Sequence, residues 1–406
     1  MTSSDTRRML NGTCFVSRQA IFTPSMNVAA YDLQSNIASV EEPGQDGDSN
    51  KDSIRALFEM FSDSGLDLVI GDRTGLVTIT PPALAAGLWK YVPPDRVMLG
   101  VSPLPVLDQL SALAAEGYSL VIDESQATDC IELLKSGKHT LKVDVTRFAP
   151  NQLAKRVQQL RKHKAKILAD GVDTYDDLEF CKSLSFDWYQ GDFLSRPASQ
   201  HKEIPVNRLA MMRLLSKLHD PESEIPEIEK LAAQDVSLSY KLLRYANSAA
   251  VSLPRSVTSV GHAVRLVGLN TLRSWSSALL LSAVDSKPRE LMTVALIRAR
   301  MCELLGQSIP NSDRDSFHTA GLLSVLDAIM DTDMKTVLAE LPLSEEINDA
   351  LIDRTGPIGQ ALLCTLAYER ADWDHVEFSG VTSDMIRGKY WEAVAWSRKI
   401  SDNLLN

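Results

Sequence analysis

The sequence predicts two domains of different class, a modified (β/α) TIM-like barrel followed by an all-helical domain. In the first half, short runs rich in Val, Ile and Leu alternate with helical patterns, an order typical of a closed α/β barrel with a buried sheet. From about residue 199 onward, only helical periodicity is found. We therefore expect domains at residues 1–198 and 199–406, and a length of 406 residues suits two domains.

The strands of the barrel are predicted from short apolar runs that end at polar or turn-forming residues. Helical patterns lie between them at 54–62, 106–116 and 175–184. The segment 41–52 has no apolar residue and is rich in Gly, Asp and Asn, which predicts a mobile loop. The predicted strands are 13–16, 28–33, 68–70, 76–80, 97–101, 119–122, 140–143, 166–169 and 188–190.

The helices of the second half have ordinary lengths, and several have recognisable ends. Asn270 and Ser316 precede apolar periodic runs, as capping residues do, and Gly268 and Gly306 fall near helix ends. The predicted helices are 206–218, 224–234, 236–247, 257–267, 270–283, 290–305, 316–329, 334–339, 344–351, 357–368 and 383–404.

Composition excludes several classes of protein. The net charge of −11 argues against a nucleic-acid-binding surface, and the one basic run, 155–166, is typical of the solvated face of an amphipathic helix. Five scattered cysteines indicate neither a disulfide framework nor a zinc site. No run of eighteen apolar residues and no signal peptide is found, so we expect no membrane insertion and a cytoplasmic location.

Several short motifs in the first half resemble those of one family. FVSRQAIF occupies residues 15–22, SLVIDES 119–125, ILADGVD 167–173 and YQG 189–191. On these motifs, residues from about 12 to 197 resemble the EAL domain family, in the divergent form that is fused to an HDOD domain. The resemblance implies a modified (β/α) barrel, cyclic di-GMP as substrate, and two divalent metals that activate a water, for which Mg²⁺ or Mn²⁺ is suited.

Matching the motifs assigns the family's site to residues that keep or alter its charged groups. Asp32 stands in place of the signature Glu and is one methylene shorter, whereas Glu124 is longer than the Asp it replaces. Asp170 and Asp173 each shorten a Glu of the family pattern. The resemblance thus implies a vestigial metal and nucleotide site made of Asp32, Asp123, Glu124, Lys142, Asp144, Asp170, Asp173 and Gln190.

Three further positions lose the expected group. Asn36 replaces an Arg that contacts a nucleotide phosphate, Thr78 replaces a metal-binding Asn, and Gly100 replaces a metal-binding Glu. Metal catalysis depends on close placement of the ligands, so these changes predict an inactive barrel. Another interpretation has no ligand at all: Asp123 and Lys142 form a buried ion pair inside the barrel mouth, with Asp144 as a solvated neighbour.

The second half resembles the HDOD domain, a relative of the HD phosphohydrolases, over nearly all of residues 205–406. The matching segments are 225–235, 242–248 and 259–269. Active HD enzymes place a His-Asp doublet after an Ala-Gly-Leu-Leu-like run. Here that run is 320–323 and is followed by Ser324 and Val325, which cannot ligate a metal, and none of the seven histidines has the spacing of a replacement.

These observations predict a bacterial signal-transduction protein that is not an enzyme, acts through protein partners, and leaves residual cyclic di-GMP sensing open. The alternative is a low-activity, divalent-metal-dependent cyclic di-GMP phosphodiesterase that uses Asp32, Asp123, Glu124 and Asp170. No cofactor is expected unless the alternative holds, in which case Mg²⁺ or Mn²⁺ binds weakly. A homodimer is left open, and no nucleic-acid partner is expected.

Overall fold

The computed structural model describes residues 15–36, 63–85, 87–101, 107–198 and 287–404, with isolated positions at 215–216, 220, 224, 247, 266, 268 and 276–277. The chain divides into two compact units, one of Met1–Phe193 with Ala367–Val376 and the other of Leu194–Leu366 with Glu377–Asn406. Apart from the isolated positions, the predicted loop at 41–52, the helix at 54–62 and the helices between 206 and 283 lie outside the described residues. The boundary proposed between residues 198 and 199 stays a prediction.

A closed barrel of eight strands forms the first unit, which confirms the predicted fold class. The first strand pairs antiparallel with both the second and the eighth, and all other neighbouring strands are parallel. The strands are β1 (Val16–Phe22), β2 (Val28–Ser35), β3 (Thr74–Ile79), β4 (Val97–Val101), β5 (Ser119–Asp123), β6 (Thr140–Asp144), β7 (Lys166–Asp170) and β8 (Trp188–Tyr189).

Helices connect most of the parallel strands. The start of the sixth is fixed by a capping box, in which Thr174 Oγ1 accepts from the Asp177 amide and the Asp177 carboxylate accepts from the Thr174 amide. The described helices of this unit are α1 (Asp63–Ile70), α2 (Pro81–Ala85), α3 (Leu107–Ala115), α4 (Ile131–Leu134), α5 (Pro150–Leu160) and α6 (Tyr175–Ser183), with 3₁₀ turns at Leu88–Tyr91, Glu124–Gln126, Val145–Arg147 and Asp192–Ser195.

Two strand predictions differ from the structure. Residues 68–70, predicted as a strand, form the last turn of α1, which ends before Gly71 in the left-handed region with φ 66°. A run of three apolar residues does not distinguish a strand from a buried helix end. In place of the predicted strand at 13–16, the structure has β1, which begins at Val16 and runs to Phe22. The polar residues Ser17 and Gln19 interrupt its apolar pattern, so the strand was not predicted over this range.

Side chains inside the barrel form an apolar layer. Because successive side chains of a strand point to opposite faces, the residues two positions further along the parallel strands lie on the same inner face, closer to the carboxyl ends. Asp32, Thr78, Gly100, Asp123 and Asp170 occupy these positions. The apolar layer is made of Ile21, Ala30, Leu76, Met98, Val121 and Leu168, with Trp188 packed against it.

The described part of the second unit is helical, as predicted. The seventh helix of the chain is buried along most of its length and packs against both the eighth and the thirteenth. None of the described helices is long and apolar enough to span a membrane. The helices are α7 (Arg289–Gly306), α8 (Arg314–Leu323), α9 (Leu326–Met330), α10 (Met334–Leu338), α11 (Glu345–Ile352), α12 (Gly356–Glu369), whose end is counted with the barrel unit, and α13 (Ser383–Leu404).

A charged network links α7, α8 and α13. Arg300 of α7 donates to Glu303 at 2.7 Å and to Glu392 of α13 at 2.6 Å, and His318 Nδ1 of α8 lies 3.3 Å from Glu303 Oε2. Burial by itself would raise the pKa of Glu303, but His318 and Arg300 outweigh it and hold that pKa below its ordinary value. The ionised form of Glu303 therefore stabilises this helix packing.

The close approach of α7 and α8 depends on Gly321. A Cβ at this position would lie 2.4 Å from the Arg298 carbonyl oxygen and 2.6 Å from Ala299 Cα. We expect Gly321→Ala to lower the free energy of unfolding by about 1–3 kcal/mol, because the helices must separate. At the exposed position 388 of α13, the added methyl of Gly388→Ala meets no atom within 4 Å and should raise this free energy by up to about 1 kcal/mol. Urea unfolding of both variants measures the difference, and equal midpoints would contradict the packing argument.

The Glu303 network predicts a pH-dependent stability. A carboxyl whose folded pKa is depressed stabilises the fold above its unfolded pKa, about 4.3 for Glu, and that contribution disappears as the pH falls through the folded pKa. Glu303→Gln should therefore cost roughly 1 kcal/mol at neutral pH and nothing once the pH is well below 4. Thermal unfolding over this range tests it, with exposed Glu340→Gln as the matched control. A cost that is independent of pH would show that charge is not involved.

Candidate functional site

The candidate site lies where the parallel strands of the barrel reach their carboxyl ends. Asp123, Asp144 and Asp170 are the last residues of β5, β6 and β7. Asp32 lies on β2, and Lys142 of β6 is in register with Asp123. Carboxyl ends of parallel barrel strands meet at one mouth, so the predicted charged residues are brought to one side of the unit.

Lys142 joins two of the carboxylates. Its Nζ lies 3.1 Å from Asp170 Oδ2 and 3.5 Å from Asp32 Oδ2. Burial would lower the pKa of Lys142, but the two aspartates outweigh burial and raise it. Burial also raises the pKa of Asp170, and Lys142 opposes that shift without cancelling it. The ion pair considered between Lys142 and Asp123 is therefore not the one in the structure, where Lys142 pairs with Asp32 and Asp170.

Asp32 is nearly inaccessible, with 4% of its surface exposed, and a chain of amides surrounds it. Gln190 Nε2 donates to Asp32 Oδ2 at 2.8 Å and to Gln19 Oε1 at 2.8 Å, and Gln34 Nε2 donates to Gln19 Oε1 at 3.0 Å. Gln19 and Gln34 were not predicted as site residues. The signal that could have found Gln19 is its place on the inner face of β1, in register with Asp32.

Asp123 and Asp144 each cap the turn that follows their own strand. Asp123 Oδ1 accepts from the Ser125 amide and Asp144 Oδ1 from the Thr146 amide, at 2.9 and 3.1 Å. Their other carboxylate oxygens face Arg147, whose Nε is 2.8 Å from Asp144 Oδ2 and whose Nη1 is 4.0 Å from Asp123 Oδ2. Capping fixes the direction of both carboxylates at the mouth.

Glu124 and Asp173 have partners of their own. Glu124 is buried and its carboxylate accepts from Arg156 Nε of α5, while Arg156 Nη2 donates to the Glu124 carbonyl at 2.6 Å. Asp173 Oδ1 accepts from the Asp192 amide at 3.3 Å and ties the segment after β7 to the segment after β8. The structure thus brings Asp32, Lys142, Asp170 and Gln190 together, and places Glu124 against α5.

The positions that lack the family's groups are filled by local contacts. Asn36 is buried and its Oδ1 accepts from the Phe15 amide at 2.8 Å. Thr78 and Gly100 are register partners, and a Cβ on Gly100 would lie 2.9 Å from Thr78 Oγ1. A longer side chain at position 100 therefore requires Thr78 to move.

In the helical unit, a guanidinium contacts the place where HD enzymes have their doublet. Ser324 Oγ donates to the Gly321 carbonyl at 2.7 Å and accepts from Arg298 Nη1 at 3.3 Å. Val325 is fully buried. A buried cation next to Ser324 opposes a second cation, so this position does not suit a divalent metal.

A divalent metal is the group that the fold family implies for the barrel. Asp32, Asp123, Asp144 and Asp170 supply the oxygen ligands that Mg²⁺ and Mn²⁺ prefer, so the donor chemistry of the mouth fits such a metal. Within the part of the chain that the structure describes, however, no three His, Cys, Asp or Glu side chains form a metal-binding group. Metal binding therefore requires some of the ion pairs with Lys142 and Arg147 to rearrange.

Comparison with known proteins gives one family and two relatives that span the chain. Residues 204–341 match the HDOD domain family. The protein named cyclic di-GMP phosphodiesterase CdgJ of Vibrio cholerae serotype O1 is 26% identical over 403 residues, which covers 96% of this chain and 93% of the relative. The uncharacterized protein YuxH of Bacillus subtilis is 25% identical over 411 residues, covering 96% and 99%.

The solved structures that match are less similar to this chain than the two relatives. Klebsiella pneumoniae BlrP1, in a complex with manganese and cyclic di-GMP, has a TM-score of 0.35 and 20% identity, covering 44% of this chain and 54% of that one. Bacillus subtilis YkuI, a protein with an EAL domain in complex with cyclic di-GMP and calcium, has a TM-score of 0.36 and 16% identity, covering 66% and 74%.

The prediction that the chain is not an enzyme is wrong, because a relative that spans nearly its whole length carries the name of a cyclic di-GMP phosphodiesterase. The prediction counted the altered motif positions and gave too little weight to the charged groups that remain. The mouth keeps Lys142 and the carboxylates of Asp32, Asp123, Asp144 and Asp170. The closed barrel, its EAL-like motifs and the match of residues 204–341 to the HDOD domain family together support the predicted EAL-HDOD fusion.

Proposed function

We propose that this chain is a low-activity, divalent-metal-dependent cyclic di-GMP phosphodiesterase. The observation that carries the proposal is the charged mouth of the barrel, where Lys142 lies between Asp32 and Asp170, with Asp123 and Asp144 at the ends of neighbouring strands. The name of the Vibrio cholerae relative, which aligns over nearly the whole chain, supports the same activity. Both point to the alternative that the sequence left open.

The reaction adds water to one phosphorus of the cyclic dinucleotide and breaks one phosphorus–oxygen ester bond, which leaves a linear dinucleotide. A bound Mg²⁺ or Mn²⁺ would polarise the phosphodiester and lower the pKa of a water. Asp32, Asp123, Asp144 and Asp170 are the residues that would hold it. These carboxylates also give the mouth a negative charge, which repels a phosphodiester unless a positive charge compensates it.

Lys142 supplies the positive charge that the substrate needs. Its raised pKa keeps the ammonium protonated at neutral pH, and Asp32 and Asp170 hold it inside the mouth. An ammonium near a phosphodiester stabilises the charge that grows on the phosphoryl oxygens as the bond breaks. Gln190 donates to Asp32 and keeps that carboxylate oriented. These groups bind and orient the substrate.

Three positions account for the low activity that we propose. Asn36 has no guanidinium for a phosphate, and its amide oxygen is already bonded to the Phe15 amide. Thr78 and Gly100 provide no carboxylate on β3 or β4. The mouth therefore has its charged ligands on one side of the barrel, which weakens the grip on both metal and substrate.

The helical domain is the part to which we assign protein partners. We infer that it links the barrel to a signalling pathway by binding another protein. The match of residues 204–341 to the HDOD domain supports a domain role separate from the barrel, since Ser324 and Val325 leave no metal doublet there.

Hydrolysis of cyclic di-GMP tests the proposal directly. Purified full-length protein should convert cyclic di-GMP to the linear dinucleotide with Mn²⁺ or Mg²⁺ and not after chelation. Asp123→Asn should lower the rate by more than about tenfold, because it removes a charged oxygen ligand from the mouth. Separation of the nucleotides by chromatography measures both rates.

The matched control is Asp108→Asn, which makes the same change at an exposed position of α3 and should leave the rate unchanged. Absence of linear dinucleotide with either metal would contradict the proposed activity. Equal rates for the wild type and Asp123→Asn would contradict the assignment of the mouth as the site.

A further inference from the structure

Gln19 lies on the inner face of the barrel, next to the charged mouth, within the FVSRQAIF motif but not among the residues that the motifs assign to the site. It is in register with Asp32 across the β1–β2 pair, and Gln34 is in register with Ser17 on the same pair. Gln19 Oε1 accepts two hydrogen bonds, from Gln190 Nε2 at 2.8 Å and from Gln34 Nε2 at 3.0 Å. One oxygen thus joins two strands, β1 and β2, and the segment directly after β8.

The hydrogen bonds of Gln190 can have only one polarity. An ionised carboxylate only accepts, so Gln190 must present its nitrogen to Asp32 Oδ2, at 2.8 Å. The second N–H of the same nitrogen donates to Gln19 Oε1. Gln190 is fully buried, and its Oε1 has no hydrogen-bond partner among the described residues. The two acceptors, Asp32 and Gln19, are therefore what orients this amide.

Gln34 fixes the other end of the chain of amides. An amide side chain has an oxygen and a nitrogen of nearly the same shape, and only hydrogen bonds decide which one faces a neighbour. The Gln190 nitrogen, which Asp32 orients, requires an acceptor on Gln19, so the Gln19 oxygen faces Gln190, and Gln34 donates to the same oxygen. One orientation thus runs outward from the Asp32 carboxylate through Gln190 to Gln19, and Gln34 supports the Gln19 oxygen from β2.

We propose that Gln19 is a positioning residue for the hydrolysis, an inference that rests on the proposed function and deepens it. Gln19 holds the Gln190 amide with its nitrogen toward Asp32, and Asp32 in turn holds Lys142, whose Nζ lies 3.5 Å from Asp32 Oδ2. Without Gln19, the Gln190 amide has one acceptor instead of two, its second buried N–H loses its partner, and the amide is held toward Asp32 by a single hydrogen bond. Gln19 acts through Gln190 and does not contact the substrate.

Steady-state kinetics of three variants test the proposal. Gln19→Leu removes the acceptor and should lower kcat up to about tenfold, with KM nearly unchanged, because a lost hydrogen bond of this kind corresponds to that factor. Gln19→Glu retains acceptor oxygens for both amides and should lose less than Gln19→Leu. Gln158→Leu, on the exposed face of α5, is the matched control and should keep the wild-type kcat.

Wild-type kcat in Gln19→Leu, a fall in Gln19→Glu as large as that in Gln19→Leu, or a loss confined to KM would each overturn the proposal. Unfolding curves accompany the kinetics. A variant that is only less stable contains less folded protein, and its kcat per folded molecule equals the wild-type value.

A second measurement does not depend on turnover. In the metal-free wild type labelled with ¹⁵N-glutamine, both side-chain amide protons of Gln190 should be protected from exchange with water, since each is donated to a buried acceptor. Gln190→Leu identifies the signal. Rapid exchange of either proton overturns the proposed orientation. Protected protons in a wild type without hydrolysis would instead count against the proposed function and leave the orientation standing.

Discussion

The alternation of side chains along the strands of a closed barrel is the constraint on which the site depends. Every second side chain of a strand points into the barrel. A residue two positions after an inward-facing apolar residue therefore also points inward. Leu76, Val121 and Leu168 fill the apolar level. Thr78, Asp123 and Asp170 follow them toward the carboxyl ends. Register, and not any local motif, brings these residues to one mouth.

Charge at this mouth is stable only because it is paired. Burying a carboxylate or an ammonium alone costs several kcal/mol, and the cost falls when each charge has a partner and hydrogen bonds satisfy what remains. Asp32 receives Lys142 and the Gln190 amide, and Asp170 receives Lys142. The same pairs that stabilise the mouth must open for a metal. Stability of the barrel and affinity for a cation are therefore opposed in this protein.

The sequence predicted the elements that depend on neighbouring residues along the chain. It missed the contacts between residues that are distant in the chain. Strand β6 and the capped helix α6 follow from local patterns, and both have nearly the predicted bounds. Glu124 was assigned to the site by its motif, but its partner Arg156 is 32 residues away on α5. The spacing of residues in the sequence does not reveal this contact. Gln19 was missed for the same reason, since its hydrogen bond to Gln190 spans 171 residues.

The two units differ in what replaces the catalytic groups of their relatives, and this decides where chemistry remains. In the helical unit the doublet position holds Ser324, and the buried guanidinium of Arg298 lies against it, so positive charge already occupies the place of a metal. In the barrel the altered positions are neutral or keep a carboxylate of different length, and the carboxylates of Asp123, Asp144 and Asp170 still lie at the mouth. Positive charge opposes a metal in both units, but in the barrel Lys142 and Arg147 face four carboxylates, whereas Ser324 and Val325 supply none at the doublet position. The barrel is therefore the unit in which hydrolysis can persist.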